Sequence, residues 1–408
     1  MFPRKLFRMV LTGFLIPFLF SSLSFAKYLS IQSSQSFPSI TPVNLVWDET
    51  EQKIILIGIA EDEIGKRFNH FWFFSKDGEL IEEKVIDQST IGLISKATYW
   101  NPGKLIFVST PSMNDEKNPL PDTQVVTLST NFDREILNIA TLKNIDLTFN
   151  NSLLINQQAK EILLLSGTHT TLSQGLKPRN DWQIRLDCLG FNGENIWTTE
   201  IGNQQDNVMG QMIKIGQLFY VVYNTWFPGE RWNIQMVGLN NFGRVINEKT
   251  IMNGSGSDLV NDIEKIDDDH FLIIGTTDSD NNDWGLPKGK SDLIILKYHI
   301  DGNIKWLRRL GGQYRDIGIT VLYDEQETIW IAGMTESKDG DILNNQGGWD
   351  IWVIQLDRDG NILENKCLGT LNDESPVQFL QVENDIWLLG AFQATVTKTL
   401  PILIRIND

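Results

Sequence analysis

Short apolar runs recur along the chain at a nearly constant interval. They are "ILIGIA" with Gly58, "IFVSTP" with Ser109, "LLLSGT" with Ser166 and "YVVYNT" with Tyr223, then "LIIGTT" with Gly275, "WIAGMT" with Gly333 and "WLLGAF" with Gly390. Successive spacings are 51, 57, 57, 52, 58 and 57 residues, so one unit is written seven times. A second apolar run follows each after a polar stretch, as in "HFWFF", "WQIRL", "LIILKY" and "IWVIQL". Most of these end in a tight turn: Asp77-Gly78, Asn192-Gly193, Phe242-Gly243, Asp301-Gly302 and Asp359-Gly360. Such pairs supply the positive φ of two-residue hairpin loops. A more polar third strand leaves each hairpin, and a fourth, such as "DIGITVLYD", leads into the next copy. Strands of five to eight residues dominate and nothing carries a helical period.

Four antiparallel strands repeated radially predict an all-β fold, a seven-bladed β-propeller. The last copy ends at Asp408 without a fourth strand, while "KYLSIQSSQ" at 27–35 precedes the first copy without a partner. The spare strand is therefore expected to complete the last blade from outside and close the ring. On this reading 27–408 forms a single propeller domain.

The stretch "GGQYRDIGITVLYDEQETIWIAGMTESKDGDILNNQGGWDIWVIQLDRDGNI" (311–362) resembles the repeat of bacterial secreted β-propeller proteins. Their blades read roughly Gly-Gly-x3-Asp, a strand, Ala-Gly-x-Thr-x-Ser-x-Asp-Gly-Asp, then Gly-Gly-x-Asp-x-Trp and a strand ending Leu-Asp-x-x-Gly-Asn. The likeness is strong over 258–370 and reduces to the hydrophobic pattern in the first three copies. It implies fold and export, not an activity.

With strands lettered A to D outward from the axis, the A–B and C–D turns are short. The B–C loops are long, at about 110–122, 167–180, 224–232, 276–290 and 334–349. Long loops on a rigid ring are where function sits, which marks that face as the working one. Two polar positions recur there. One is Gly-x3-Asp before strand A: Gly202/Asp206, Gly254/Asp258, Gly312/Asp316 and Gly369/Asp373. The other opens strand C: Asn69, Asp122, Asn180, Asn233, Asp292 and Asp350. A ring of carboxylates suits a cation, but a position required in every blade reads first as scaffold, because Asp and Asn bond nearby backbone in turns.

What differs between blades is more informative. Trp226, Phe227 and Trp232 sit in "YNTWFPGERW", Trp284 in "NNDWGLP" and Trp349 in "QGGWD". Aromatics in long polar loops suit a protein partner or the face of a sugar ring, whereas any single one could fold over its own blade. Trp72, Trp330, Trp352 and Trp387 lie inside strands and read as core. Asp278, Asp280 and Asn282 in "DSDNND", with Asp339 and Asp341 in "SKDGD", suit a loose calcium site or a solvated acidic loop. An EF-hand is excluded, since its twelfth position would fall on Gly289. No other cofactor is expected.

Composition and charge narrow the partners. Residues 1–26 carry Arg4, Lys5 and Arg8, an apolar run from Met9 to Phe20, and Ser24-Phe25-Ala26 before Lys27. That is the layout of a secretory signal peptide, although 10–26 is nearly long enough to stay as an anchor. No later stretch is apolar enough to span a membrane. The whole chain has 35 basic and 52 acidic residues, net −17; without the leader, 32 against 52 leaves −20. Such a surface repels nucleic acid and anionic lipid. Cys188 and Cys367, three blades apart, read as buried thiols.

Catalytic signatures are sparse. The four histidines have no metal-ligand spacing, and no nucleophile elbow or phosphate loop is present. The sequence therefore favours a secreted or periplasmic, non-catalytic propeller that binds a protein partner through its B–C loops. The alternatives are a carbohydrate-binding propeller, or a carbohydrate-active hydrolase or lyase using paired carboxylates on the same face. A close carboxylate pair in a deep pocket would favour the enzyme, and an aromatic face would favour binding.

Overall fold

A computed structural model describes residues 26–30, 39–87, 91–101, 103–110, 123–129, 137–142, 152–169, 182–202, 206–227, 231–280, 284–396 and 398–406. The 1–25 segment, and with it the expected leader, lies outside the described residues. The described strands form seven sheets, each of four antiparallel strands. Six follow chain order, as in blade 1 (Ser39–Asp48, Lys53–Glu61, Arg67–Ser75, Leu80–Asp87) and blade 6 (Asp316–Tyr323, Ile329–Thr335, Asp350–Leu356, Ile362–Leu368). Blade 7 takes Glu374–Val382, Asp385–Thr395 and Lys398–Ile406 from the end of the chain and its outer strand, Ala26–Ser30, from the beginning. Ala26 pairs with Ile406 and Ser30 with Ile402, which is the expected closure. Each innermost strand contacts those of both neighbouring blades, blade 1 against blade 7 included.

The apolar runs are explained by this packing. Both faces of a blade are covered by its neighbours, so the middle strands lose the alternation of a half-exposed sheet. Ile54 to Ile57 are buried in succession, as are Phe271 to Ile274 and Ile351 to Ile354. One apolar cluster fills each seam between blades: Leu56 and Trp72 meet Trp387 and Leu389 between blades 1 and 7, and Ile274 and Ile295 meet Ile331 and Trp352 between blades 5 and 6. The four strand tryptophans are buried as expected. Outer strands such as Val245–Met252 are exposed over most of their length.

Two local expectations are corrected. The five described C–D turns are three-residue loops, not two-residue ones. In each, the glycine N–H bonds the carbonyl three residues back, as from Gly78 to Ser75 and from Gly360 to Asp357. Only the glycine has positive φ, 85° at Gly78 and 78° at Gly360, which makes a type I turn closed by a glycine bulge. The second correction concerns 224–232, which is not a long loop. Strand B of blade 4 runs Leu218–Phe227 and strand C runs Arg231–Asn240, with Trp226 directly opposite Trp232. The cross-strand aromatic pair carries the ladder through to Phe227 and Arg231.

Inner strands carry a register shift near the same point: Pro42/Asn44, Ile94/Lys96, Val208/Gln211, Val260/Asp262, Gly318/Thr320 and Pro376/Gln378. A polar side chain follows each bulge, and several reach the next blade. Asn44 Oδ1 accepts from Ala97 N at 2.6 Å, and Asp262 Oδ2 from Val321 N at 3.1 Å. Ser152 Oγ does the same for Met212 N at 3.3 Å.

Candidate functional site

The recurrent acids form a buried lattice that locks the seams. Asp316, fully buried, accepts from Gly312 N at 2.7 Å, Thr335 Oγ1 at 2.5 Å and Ser337 Oγ at 2.9 Å. Asp258 repeats the set with Gly254 N at 2.7 Å, Thr277 Oγ1 at 2.6 Å and Ser279 Oγ at 3.0 Å. The Thr-x-Ser that ends strand B is therefore the partner of the Asp that starts strand A. In blades 4 and 7 the sequence assignment slips by one residue. Asn207, not Asp206, faces Thr225, and Glu374, not Asp373, accepts from Thr370 N at 3.1 Å and Thr370 Oγ1 at 2.6 Å. Asp206 and Asp373 instead hold the preceding blade, accepting from Trp182 N at 2.8 Å and Trp349 N at 3.0 Å.

The acids that open strand C lie beside this lattice. Asp292 accepts from Lys288 N at 2.9 Å and pairs with the buried Arg309 at 2.5 Å; Asp350 accepts from Gln346 N at 2.8 Å. Asp292 and Asp316 flank Gly311 so tightly that a Cβ there would lie 2.9 Å and 2.7 Å from their oxygens. Burial pushes Asp258, Asp316 and Asp350 above the ordinary carboxylate range, and Glu374 to about 7. These side chains are closed to solvent, so they serve as scaffold. Asp122 and Asn180 lie outside the described residues, and Gln183 faces Thr168 where Asn180 was expected.

The loop aromatics separate into three stations. Trp226 and Trp232 pack edge to face, with centroids 5.0 Å apart, and both stay half-buried at the blade 4 hairpin. The Phe227 side chain lies outside the described ones. Trp284 folds down against the core between blades 4 and 5. Trp349 lies at the seam of blades 6 and 7 with the Arg315 guanidinium 5.0 Å from its ring centre. The structure thus brings together only the first two.

The loop acids clamp backbone. Asp278 accepts from Ser257 N at 2.5 Å, Asp339 from Gln313 N at 2.8 Å, and Asp341 from Gly311 N at 2.9 Å. Asp341 also pairs with Lys288, and Asp280 bonds Ser255. Asn282 lies outside the described residues. Among the described residues no three acid, histidine or cysteine side chains converge as a metal group. His70 is buried in a stack on Trp72, and burial lowers it to about 4. Both cysteines are free; Cys188 is buried as expected, Cys367 is only half-buried, and desolvation raises each to about 12.

In blades 5 and 6 the B–C loop ends against the D–A connection of the next blade. Lys290 N bonds Tyr314 O at 3.1 Å, and Glu374 N bonds Trp349 O at 2.7 Å. Between blades 5 and 6 this contact leaves an open pocket of about 720 Å³, lined by Lys290, Tyr314, Arg315, Glu336 and Lys338, with Gly347 and Gly348 at one wall. Sequence reasoning passed over these cations. They stand in three separate connections, and no local pattern marks them as neighbours.

Comparison with solved structures places the chain among propeller folds. It aligns over 90% of its length with 98% of the Kuenenia stuttgartiensis hydrazine synthase chain, at a TM-score of 0.53 and 10% identity. Against puromycin hydrolase it aligns over 88%, at a TM-score of 0.55 and 10% identity, covering 51% of that chain. The β-propeller domain of the Trilobed protease from Pyrococcus furiosus, described as having an open velcro topology, matches at 0.48 and 12% identity, covering 90% of this chain and 95% of that one. The chain spans about half the length of the Pyrococcus horikoshii acylaminoacyl peptidase and the puromycin hydrolase that it matches. No family model and no curated protein matches the sequence. Likeness at this level of identity shows the fold: the chain is a seven-bladed β-propeller.

Proposed function

We propose that the chain is an exported, non-catalytic propeller whose B–C loops hold a protein partner. The observation that carries this is the Trp226–Trp232 pair. Two indoles packed edge to face at a hairpin tip form a rigid apolar anchor, and neither is among the side chains that fill the seams. The leader-like start of the sequence and the acid excess support export.

The competing reading is a hydrolase or lyase with paired carboxylates. One such pair on this face, Asp292 and Asp316, is fully buried and engaged with Arg309, Thr335 and Ser337. A substrate would have to break the lattice to reach it. Sugar binding by the same aromatics is the second reading within the binding class.

A pull-down from cell envelope and secretome tests the proposal, with W226A/W232A as the folded control. A protein retained by the wild type and lost by the variant supports the hairpin as the working surface. Equal retention by both forms refutes it. Retention of nothing, together with turnover of a carbohydrate substrate, would move the protein into the enzyme class.

A further inference from the structure

We propose that the pocket between blades 5 and 6 binds a small organic anion through a carboxylate or phosphate group. The site is separate from the Trp226–Trp232 hairpin, and the inference does not depend on a protein partner.

The pocket carries three cations, Lys290, Arg315 and Lys338, against one acid, Glu336, in a chain whose net charge is −17. The acid is already matched. Arg315 grips Glu336 in a bidentate pair, Nε to Oε2 at 2.7 Å and Nη2 to Oε1 at 2.6 Å. Among the described residues, Lys290 and Lys338 form no ion pair. Acids beside the lining are occupied: Asp341 holds Lys288 and Gly311 N, Asp339 holds Gln313 N, and Asp373, against Gly348, holds Trp349 N. Lys290 acts on Glu336 and Lys338 on Asp350 only through space, so neither ammonium is held in a contact ion pair at the opening.

Backbone pairing of the surrounding loops keeps this arrangement in place. Lys290 is fixed at its backbone by Tyr314 O, and Arg315 bridges to Ser291. A Cβ at Gly347 would lie 2.3 Å from Thr370 O, so the wall has no room for side chains. The Tyr314 ring is 46% exposed, with the Lys290 ammonium 5.2 Å from its centre, and it offers an apolar surface beside the charges.

Size and field select the ligand. About 720 Å³ is in the range of small-molecule sites, about 300–1,000 Å³. An extended polyanion would meet the acidic surface over its whole length. Charges are screened beyond about 8 Å at physiological ionic strength, so a compact anion inside the pocket senses mainly the local charges, three cations against Glu336 and the neighbouring Asp373. The fit is to one or two negative charges carried on a ring or short apolar body that lies along Tyr314.

Isothermal titration of the purified protein with glucuronate, 4-hydroxybenzoate and inorganic phosphate tests this, with glucose as the neutral counterpart. At least one anion should bind saturably, at least tenfold more weakly to K290A/K338A, and as in the wild type to K305A. Binding should also weaken between 50 and 300 mM salt. Lys290 and Lys338 are exposed, so a melt of the double variant matching the wild type rules out misfolding. Phosphate binding without the carboxylates would assign a phosphate source, and the reverse a carboxylate source. The proposal is overturned if no anion saturates, if K290A/K338A binds like the wild type, or if glucose binds as well as glucuronate.

Discussion

Asn44 Nδ2 donates to Gln378 Oε1 at 2.7 Å, although the two residues stand 334 positions apart in the chain. The same oxygen accepts from Leu45 N at 3.1 Å, and Asn44 Oδ1 accepts from Ala97 N at 2.6 Å. Two amides thereby join blades 7, 1 and 2 around the axis, inside the ring that the Ala26–Ser30 strand closes from outside.

Replacing Asn44 by Leu should leave Ala97 N without a side-chain partner in a buried setting and reduce Gln378 to its two bonds with Leu45. A loss of about 1–3 kcal/mol is expected, read as a lower denaturant midpoint at unchanged slope. Adding Q378L should cost less than the sum of the single changes, because both act on one network. Strict additivity would mean that the amide pair does not bear the closure.

The Asp–Thr–Ser lattice should respond alike in adjacent blades. Thr277→Val and Thr335→Val each remove a hydroxyl that donates to a buried carboxylate. Each is expected to cost about 1–3 kcal/mol, with the two values within about 1 kcal/mol of one another. A large loss in one blade and none in the other would show that the repeats are not energetically equivalent.

Glu374 should make stability depend on pH. Burial raises its folded-state value to about 7, from an ordinary value of 4.5. Between those limits the folded state holds a proton that the unfolded state has released, so stability falls as pH rises. The penalty is absent below the lower limit and complete above the upper one. Glu374→Gln should therefore gain on the wild type from pH 5 to pH 8, by about 1–3 kcal/mol. Urea melts at both values measure it, and a pH-independent difference would contradict the assignment.

The thiols should be silent in the folded protein. With Cys188 and Cys367 raised to about 12, neither should react with iodoacetamide at pH 8, and both should react in urea. Fast labelling of either in native buffer would contradict the raised thiol values.

Much of the fold was legible because it is written locally. Continuous apolar middle strands, polar outer strands and a glycine in five of the C–D turns recur along the chain, and repetition converts a weak local signal into a count. The errors share a cause as well. Turn length, the start of strand A in blades 4 and 7, and the end of the blade 4 hairpin each depend on which backbone groups pair. Asn207 and Glu374 could not be told from their neighbours Asp206 and Asp373, because composition allows either and only the hydrogen-bond register selects one.

The sequence by itself determined seven blades, the closing strand and the buried role of the strand tryptophans, since each follows from short-range pattern and from the need to bury apolar faces. Only the tertiary structure decided which loop side chains meet. Trp226 and Trp232 join through strand pairing, Trp284 is lost to the core, and Lys290, Arg315 and Lys338 gather from three connections into one pocket. A net charge of −17 is a sum over the chain. The field inside a pocket depends on distances within a Debye length, which sequence order does not encode.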